Sequence, residues 1–171
     1  KHLQVITNCP EETASVGYQL SSNLKQSDVL LLFGEMGSGK TTFTQGVMRG
    51  LGIEDHVASP TFGLIAQYSG SSFDLIHMDL CRLETTIQAE HAGVGEYLGS
   101  KAICIVEWPE ILGWLTPQNV SHWLTFFSTR NNRIYFFFFL FMKLFVAIIV
   151  IKSYYLRGRF RFFTFLWFQY Y

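Results

Sequence analysis

The sequence predicts an α/β fold, and three observations carry that prediction. Val29 to Phe33 and Ala102 to Val106 are continuous apolar runs, as strands buried on both faces require. A glycine-rich turn joins the first run directly to a stretch of helical pattern. Strand and helix patterns then follow one another along the chain, the arrangement that layers helices on a sheet.

Leu3 to Thr7 reads as a short half-buried strand. Asn8 or Cys9 as cap, Pro10 in the first turn, and Glu11 and Glu12 at the positive end of the dipole open a helix that runs to about Lys25. Val16, Leu20 and Leu24 recur every four residues and give it one buried face. Asp28 leads into the strand Val29 to Phe33, and a second helix runs from Thr41 to Gly50 or Gly52 with Arg49 near its negative end. Further strands are expected at Phe62 to Tyr68, Asp74 to Met78 and Ala102 to Val106, with one helix over Thr86 to Leu98. Val120 to Ser128 and Arg133 to Phe141 are patterned to pair as a hairpin across the polar turn Thr129 to Asn132.

At 171 residues the chain has room for one ordinary domain with a sizeable core. Its zero net charge conceals an asymmetry: through Arg133 there are 8 Lys and Arg against all 13 Asp and Glu, and beyond it 5 Lys and Arg with no acid. No global basic field of the kind that grips nucleic acid is present. Cys9, Cys81 and Cys104 form no CxxC pair and no metal-ligand spacing, so they read as free thiols of a reducing cytosol. No basic segment precedes an apolar core near the N-terminus, and a cytoplasmic location is expected. Lys1 is not a Met, which leaves the start of the native protein open.

The segment Gly34-Glu35-Met36-Gly37-Ser38-Gly39-Lys40-Thr41, followed by Thr42, fits the G-x-x-x-x-G-K-[ST] pattern with a buried strand before it and a helix after it. Gly37 and Gly39 permit backbone conformations in which successive N–H groups converge on phosphate oxygens at a helix N-terminus. Lys40 adds a point charge for the β- and γ-phosphates, and the Thr41 hydroxyl is placed to ligate Mg²⁺. Magnesium on a triphosphate also needs a carboxylate from a neighbouring strand end. Asp79 and Glu107 each end a strand and would emerge at the carboxyl edge of the sheet, beside the phosphates. Ser59, Pro60, Thr61 and Phe62 lie in a loop suited to sensing the γ-phosphate, or form a plain turn before a strand. His77 shares a strand face with Asp79 and is either its supporting partner or a packed core histidine.

With GEMGSGKTT, SPTF, HMDLCRL and VEWPE in this order, residues 3 to 133 resemble the TsaE family of small bacterial ATPases, which act in tRNA threonylcarbamoyladenosine synthesis. The resemblance implies a three-layer α/β/α sandwich with a central mixed sheet. It implies ATP and Mg²⁺ as cofactors, with Lys40 as phosphate lysine, Thr41 and Glu107 as metal ligands and Asp79 as an essential aspartate. Ser59 to Phe62 match its switch-like loop, and Trp108 stands where the family keeps a Trp beside the nucleotide, although Trp108 also suits a core position. Arg133 would approach the nucleotide from the last strand. The implied partner is the threonylcarbamoyl-transferase complex with TsaD- and TsaB-type subunits, and tRNA is engaged only indirectly. Cys81, Gly63 and Ser38 replace the usual Tyr, Thr and Ala, and none of these changes removes a phosphate or metal contact.

Two other function classes fit the loop. A small-molecule kinase would need an arginine-rich lid, but only Arg49, Arg82 and Arg130 lie between Thr42 and Arg133. A catalytically inactive nucleotide-binding interaction protein is the other. The expected organisation is an ATPase domain over 1–133, extendable to 141, and a hydrophobic aromatic tail over 134–171. Within the tail, Ile134 to Ile151 carries the single charge Lys143 and is followed by Lys152, Arg157, Arg159 and Arg161. It reads as a membrane anchor with a positive flank, as translated out-of-frame or intronic DNA, or, up to Phe141, as the last strand of the domain.

Overall fold

The structure is a computed structural model and describes residues 2–53, 60, 63–118, 120–128 and 134–140. The elements are β1 (His2–Thr7), α1 (Pro10–Ser21), β2 (Val29–Phe33), α2 (Lys40–Gly50), β3 (Ile65–Tyr68), β4 (Leu75–Asp79), α3 (Thr86–His91), α4 (Val94–Leu98), β5 (Ile103–Glu107), β6 (His122–Ser128) and β7 (Ile134–Leu140). A 3-10 segment, Pro109–Leu115, links β5 to β6 and bends at Gly113. All of these lie in the compact unit Lys1–Phe141.

The seven strands form one mixed sheet in the order β1-β7-β6-β2-β5-β4-β3. The central strands β6, β2, β5 and β4 run parallel, while β3, β7 and β1 join antiparallel at the two sides. Alternation along each buried strand divides its side chains between two cores. Leu30, Leu32, Leu75, Ile103, Ile105, Leu124 and Phe126 point to the layer of α1 and α2. Val29, Leu31, Ile76, Met78, Cys104 and Val106 point to the layer of α3, α4 and the 3-10 segment. This is the α/β fold that the sequence predicts, in the three-layer α/β/α sandwich that the resemblance implies.

The differences from the sequence expectations have local causes. The first helix stops at Ser21, and its N-cap is Cys9 without a side-chain bond. Asn8 is instead held by Glu12, whose Oε2 accepts from the Asn8 N–H at 2.7 Å and from Nδ2 at 3.2 Å. The single helix expected over Thr86 to Leu98 is two, because Gly93 adopts a left-handed conformation (φ 74°) between them. The strand expected from Phe62 starts at Ile65, after the left-handed Leu64 (φ 61°) turns the chain.

The expected hairpin is present, with β6 and β7 paired from His122↔Leu140 to Ser128↔Ile134. Residues 134–140 therefore form a strand paired on both sides, to β6 and to β1. No helix among the described residues is long and apolar enough to cross a membrane. Residues 141–171 lie outside the described residues.

Candidate functional site

The loop from Gly34 to Gly39 connects the carboxyl end of β2 to α2. Gly34, Gly37 and Gly39 have φ of 139°, 76° and 95°, values that side chains resist. Gly39 is the N-cap of α2, so the first N–H groups of that helix, which have no intrahelical acceptor, open towards the loop's concave side. From beneath, Phe43 of α2 packs edge-on against Phe126 of β6 with ring centroids 5.5 Å apart.

Lys40 is buried, and its Nζ donates to the carbonyls of Gly34 at 2.7 Å and Glu35 at 2.9 Å. Burial pushes its pKa down, while the negative charges of Glu107, Asp79, Glu110 and Glu35 oppose that shift. The Lys40 ammonium also lies 4.5 Å from the ring centroid of Trp108. Trp108 is left-handed (φ 59°, ψ 49°), a conformation that costs a residue with a Cβ roughly 1–2 kcal/mol. It lines the cleft on one side and packs against the α3/α4 core on the other, so both sequence readings of it apply.

Asp79 and Glu107 are directly opposite one another at the ends of the parallel strands β4 and β5. Both are buried. The Thr41 hydroxyl donates to Glu107 Oε2 at 3.2 Å, and His77 Nε2 meets Glu107 Oε1 at 2.9 Å. Asp79 Oδ1 accepts the Cys81 N–H at 3.2 Å. Between β4 and the next turn, the Leu80 N–H donates to the Glu107 carbonyl at 3.1 Å.

Together, Met36 to Thr42, Asp79, Cys81, Glu107 and Trp108 line a cleft of about 370 Å³. Of the residues predicted from sequence, Met36, Gly37, Ser38, Gly39, Lys40, Thr41, Thr42, Asp79, Glu107 and Trp108 converge here. The Glu35 side chain is exposed outside the cleft and contributes its carbonyl to Lys40. Pro60 is buried near β3 and is not among the lining residues, while Ser59, Thr61, Phe62 and Arg133 lie outside the described residues. Cys81 is the lining residue that sequence reasoning missed, and its position two residues beyond a strand-end acid was the available signal. Burial and the adjacent Asp79 carboxylate raise its thiol pKa.

The donor set suits a hard cation that keeps other ligands. Thr41, Asp79 and Glu107 offer a hydroxyl and two carboxylates at the cleft, and among the described residues no group of three or more His, Cys, Asp and Glu gathers to cage a metal. Such a set fits magnesium, which usually takes one or two carboxylates and completes its shell with phosphate and water. Ser38 Oγ, buried in the loop, has no hydrogen-bond partner among the described residues, a polar atom left over in the wall of the cleft.

The family model described as "Threonylcarbamoyl adenosine biosynthesis protein TsaE" matches residues 7–134. The chain belongs to the TsaE family. The tRNA threonylcarbamoyladenosine biosynthesis protein TsaE of Bacillus subtilis is 41% identical over 118 residues, 69% of this chain and 73% of that protein. The TsaE of Treponema pallidum is 33% identical over 116 residues, covering 68% of this chain and 85% of its own. Among solved structures, Bacillus subtilis YdiB superposes with a TM-score of 0.68 at 32% identity, covering 81% of this chain and 84% of that one. The TsaE match thus spans the strand–loop–helix unit and both strand-end acids, and it ends at the first residue of β7.

Proposed function

We propose that this chain is a magnesium-dependent ATP hydrolase that supports threonylcarbamoyladenosine modification of tRNA. The observation that carries the reading is the contact of Thr41 Oγ1 with Glu107 Oε2 at 3.2 Å, beside the buried Lys40. It joins a phosphate-loop threonine to a strand-end carboxylate.

In this reading the N–H groups at the start of α2 and the Lys40 ammonium hold the β- and γ-phosphates. Thr41, Glu107 and Asp79 would hold Mg²⁺, which when bound offsets charge on the phosphate oxygens. Water attacks the γ-phosphorus, the bond to the bridging oxygen breaks, and ADP and phosphate leave. In this reading Asp79, opposite Glu107 across two strands and lining the cleft, takes up the water's proton. Trp108 closes one wall and limits water around Lys40.

The partner in this reading is the threonylcarbamoyl-transferase complex of TsaD- and TsaB-type subunits, in the cytoplasm, with tRNA engaged only through that complex. The test is ATP hydrolysis with and without those subunits, with Lys40→Ala as control. Stimulation by the subunits that is lost in Lys40→Ala supports the reading. Unchanged hydrolysis, with phosphate appearing on a small acceptor, would replace it with a kinase.

A further inference from the structure

Glu107 is 3% exposed, and each of its carboxylate oxygens has one partner, Thr41 on Oε2 and His77 on Oε1. An ionised carboxylate only accepts hydrogen bonds, so His77 Nε2 must carry the proton. The other ring nitrogen, Nδ1, is buried without a hydrogen-bond partner among the described residues. His77 itself is fully buried in β4, directly opposite Ile105 in the register of β5. An aliphatic side chain would fill such a place without leaving a polar atom unsatisfied. The stability of the sheet does not account for an imidazole there.

We propose that His77 is the positioning residue of the site, its Nε2–H pinning Glu107 Oε1 so that Oε2 stays turned towards Thr41 and the cleft. The inference rests on the reading of Thr41 and Glu107 as the magnesium ligands. Without the pin, a carboxylate held from one side turns about its terminal torsions, which are broad for Glu. Hydrogen-bonding partners behind a metal ligand typically change metal affinity about 10–100-fold when removed. The nucleotide itself, held by the loop, is untouched by His77.

The experiment measures ATP affinity by displacement of a fluorescent ATP analogue, once in EDTA and once with MgCl₂, for wild type, His77→Leu, His77→Gln and Lys40→Ala. The gain in affinity that magnesium brings is the readout, and no turnover is needed. His77→Leu should bind as wild type does in EDTA, lose about 10–100-fold of the magnesium gain, and melt no lower than wild type. His77→Gln, whose amide N–H reaches the position of Nε2, should restore most of the gain. A full magnesium gain in His77→Leu overturns the proposal, as does a loss of gain that Gln fails to restore.

A wild type without any magnesium gain would remove the metal reading, and this inference with it. Lys40→Ala binding as tightly as wild type in EDTA would instead sink the phosphate-loop reading alone. Should His77→Leu fail to fold, the protonation of wild-type His77, read from long-range ¹H–¹⁵N correlations, decides: a proton on Nε2 is required, and a bare Nε2 refutes the pin.

Discussion

The Lys40 ammonium sits 4.5 Å from the ring centroid of Trp108 while donating to two carbonyls of its own loop. A phosphate in the cleft competes with those carbonyls for the same N–H groups, so ligand binding alters the charge above the indole. Trp108 emission should therefore change on nucleotide addition, and Trp108→Phe should abolish that change. Hydrogen bonds to a charged partner are worth about 1.5–3 kcal/mol, so Lys40→Ala should weaken nucleotide binding roughly 10–150-fold. A fluorescence titration reads both effects, and unaltered affinity in Lys40→Ala contradicts the assignment.

The loop glycines should differ in their tolerance of a methyl group. At Gly34 (φ 139°) a Cβ would stand 2.5 Å from the Phe126 carbonyl and 2.9 Å from Ser38 Oγ, whereas at Gly37 (φ 76°) it would meet nothing within 4 Å. Gly37→Ala carries only the left-handed penalty, about 1–2 kcal/mol. Gly34→Ala carries the backbone penalty and a clash with the main chain of β6, so its loss of stability in urea denaturation should be the larger of the two. Equal losses would show that the loop can move away from β6.

The parts of this site legible in the sequence were those fixed by covalent neighbourhood. Lys40 and Thr41 follow a glycine-rich turn, and Asp79 and Glu107 end apolar runs, so a parallel sheet must bring them to one edge. What was not legible depends on contacts between distant segments. The buried residues of α1 are Thr13, Gly17 and Ser21, small or polar residues that give no hydrophobic signal, beside the apolar row of Val16, Leu20 and Leu24 that the periodicity does reveal. The choice between core histidine and supporting partner at His77 could not be made until β4 and β5 were in register. The break at Gly93 and the 3-10 segment after Trp108 likewise follow from backbone conformations that composition does not announce.

That small-residue face makes a prediction opposite to helix propensity. An Ala in place of Gly inside an exposed helix gains about 0.5–1 kcal/mol. At Gly46 of α2, however, a Cβ would run into the Ala14 carbonyl of α1, and at Gly17 of α1 into the Phe43 carbonyl of α2. The obstruction is backbone in both cases and cannot rotate away. Gly46→Ala should therefore destabilise the fold by about 1–3 kcal/mol, the usual cost of overpacking. A stabilised Gly46→Ala in chemical denaturation would mean that α1 and α2 are further apart.

A pH effect should arise at the opposite edge of the sheet, remote from the cleft. His122, at the start of β6, is buried, and its Nε2 is 4.0 Å from Asp28 Oδ2. Asp28 is already engaged, accepting from the Lys25 N–H at 2.7 Å and from the Ser121 hydroxyl at 2.6 Å. Burial pushes the His122 pKa below its ordinary 6.5, and the Asp28 charge only partly opposes it. The folded state thus binds this proton less readily than the unfolded chain does, so stability rises with pH across that interval. His122 contributes fully above about pH 6.5, and the contribution drains away as pH falls through the lowered folded value. His122→Gln, which does not titrate, should lose less stability than wild type between pH 7 and pH 5 in urea denaturation. Parallel losses in the two proteins would assign the acid sensitivity to carboxylates elsewhere.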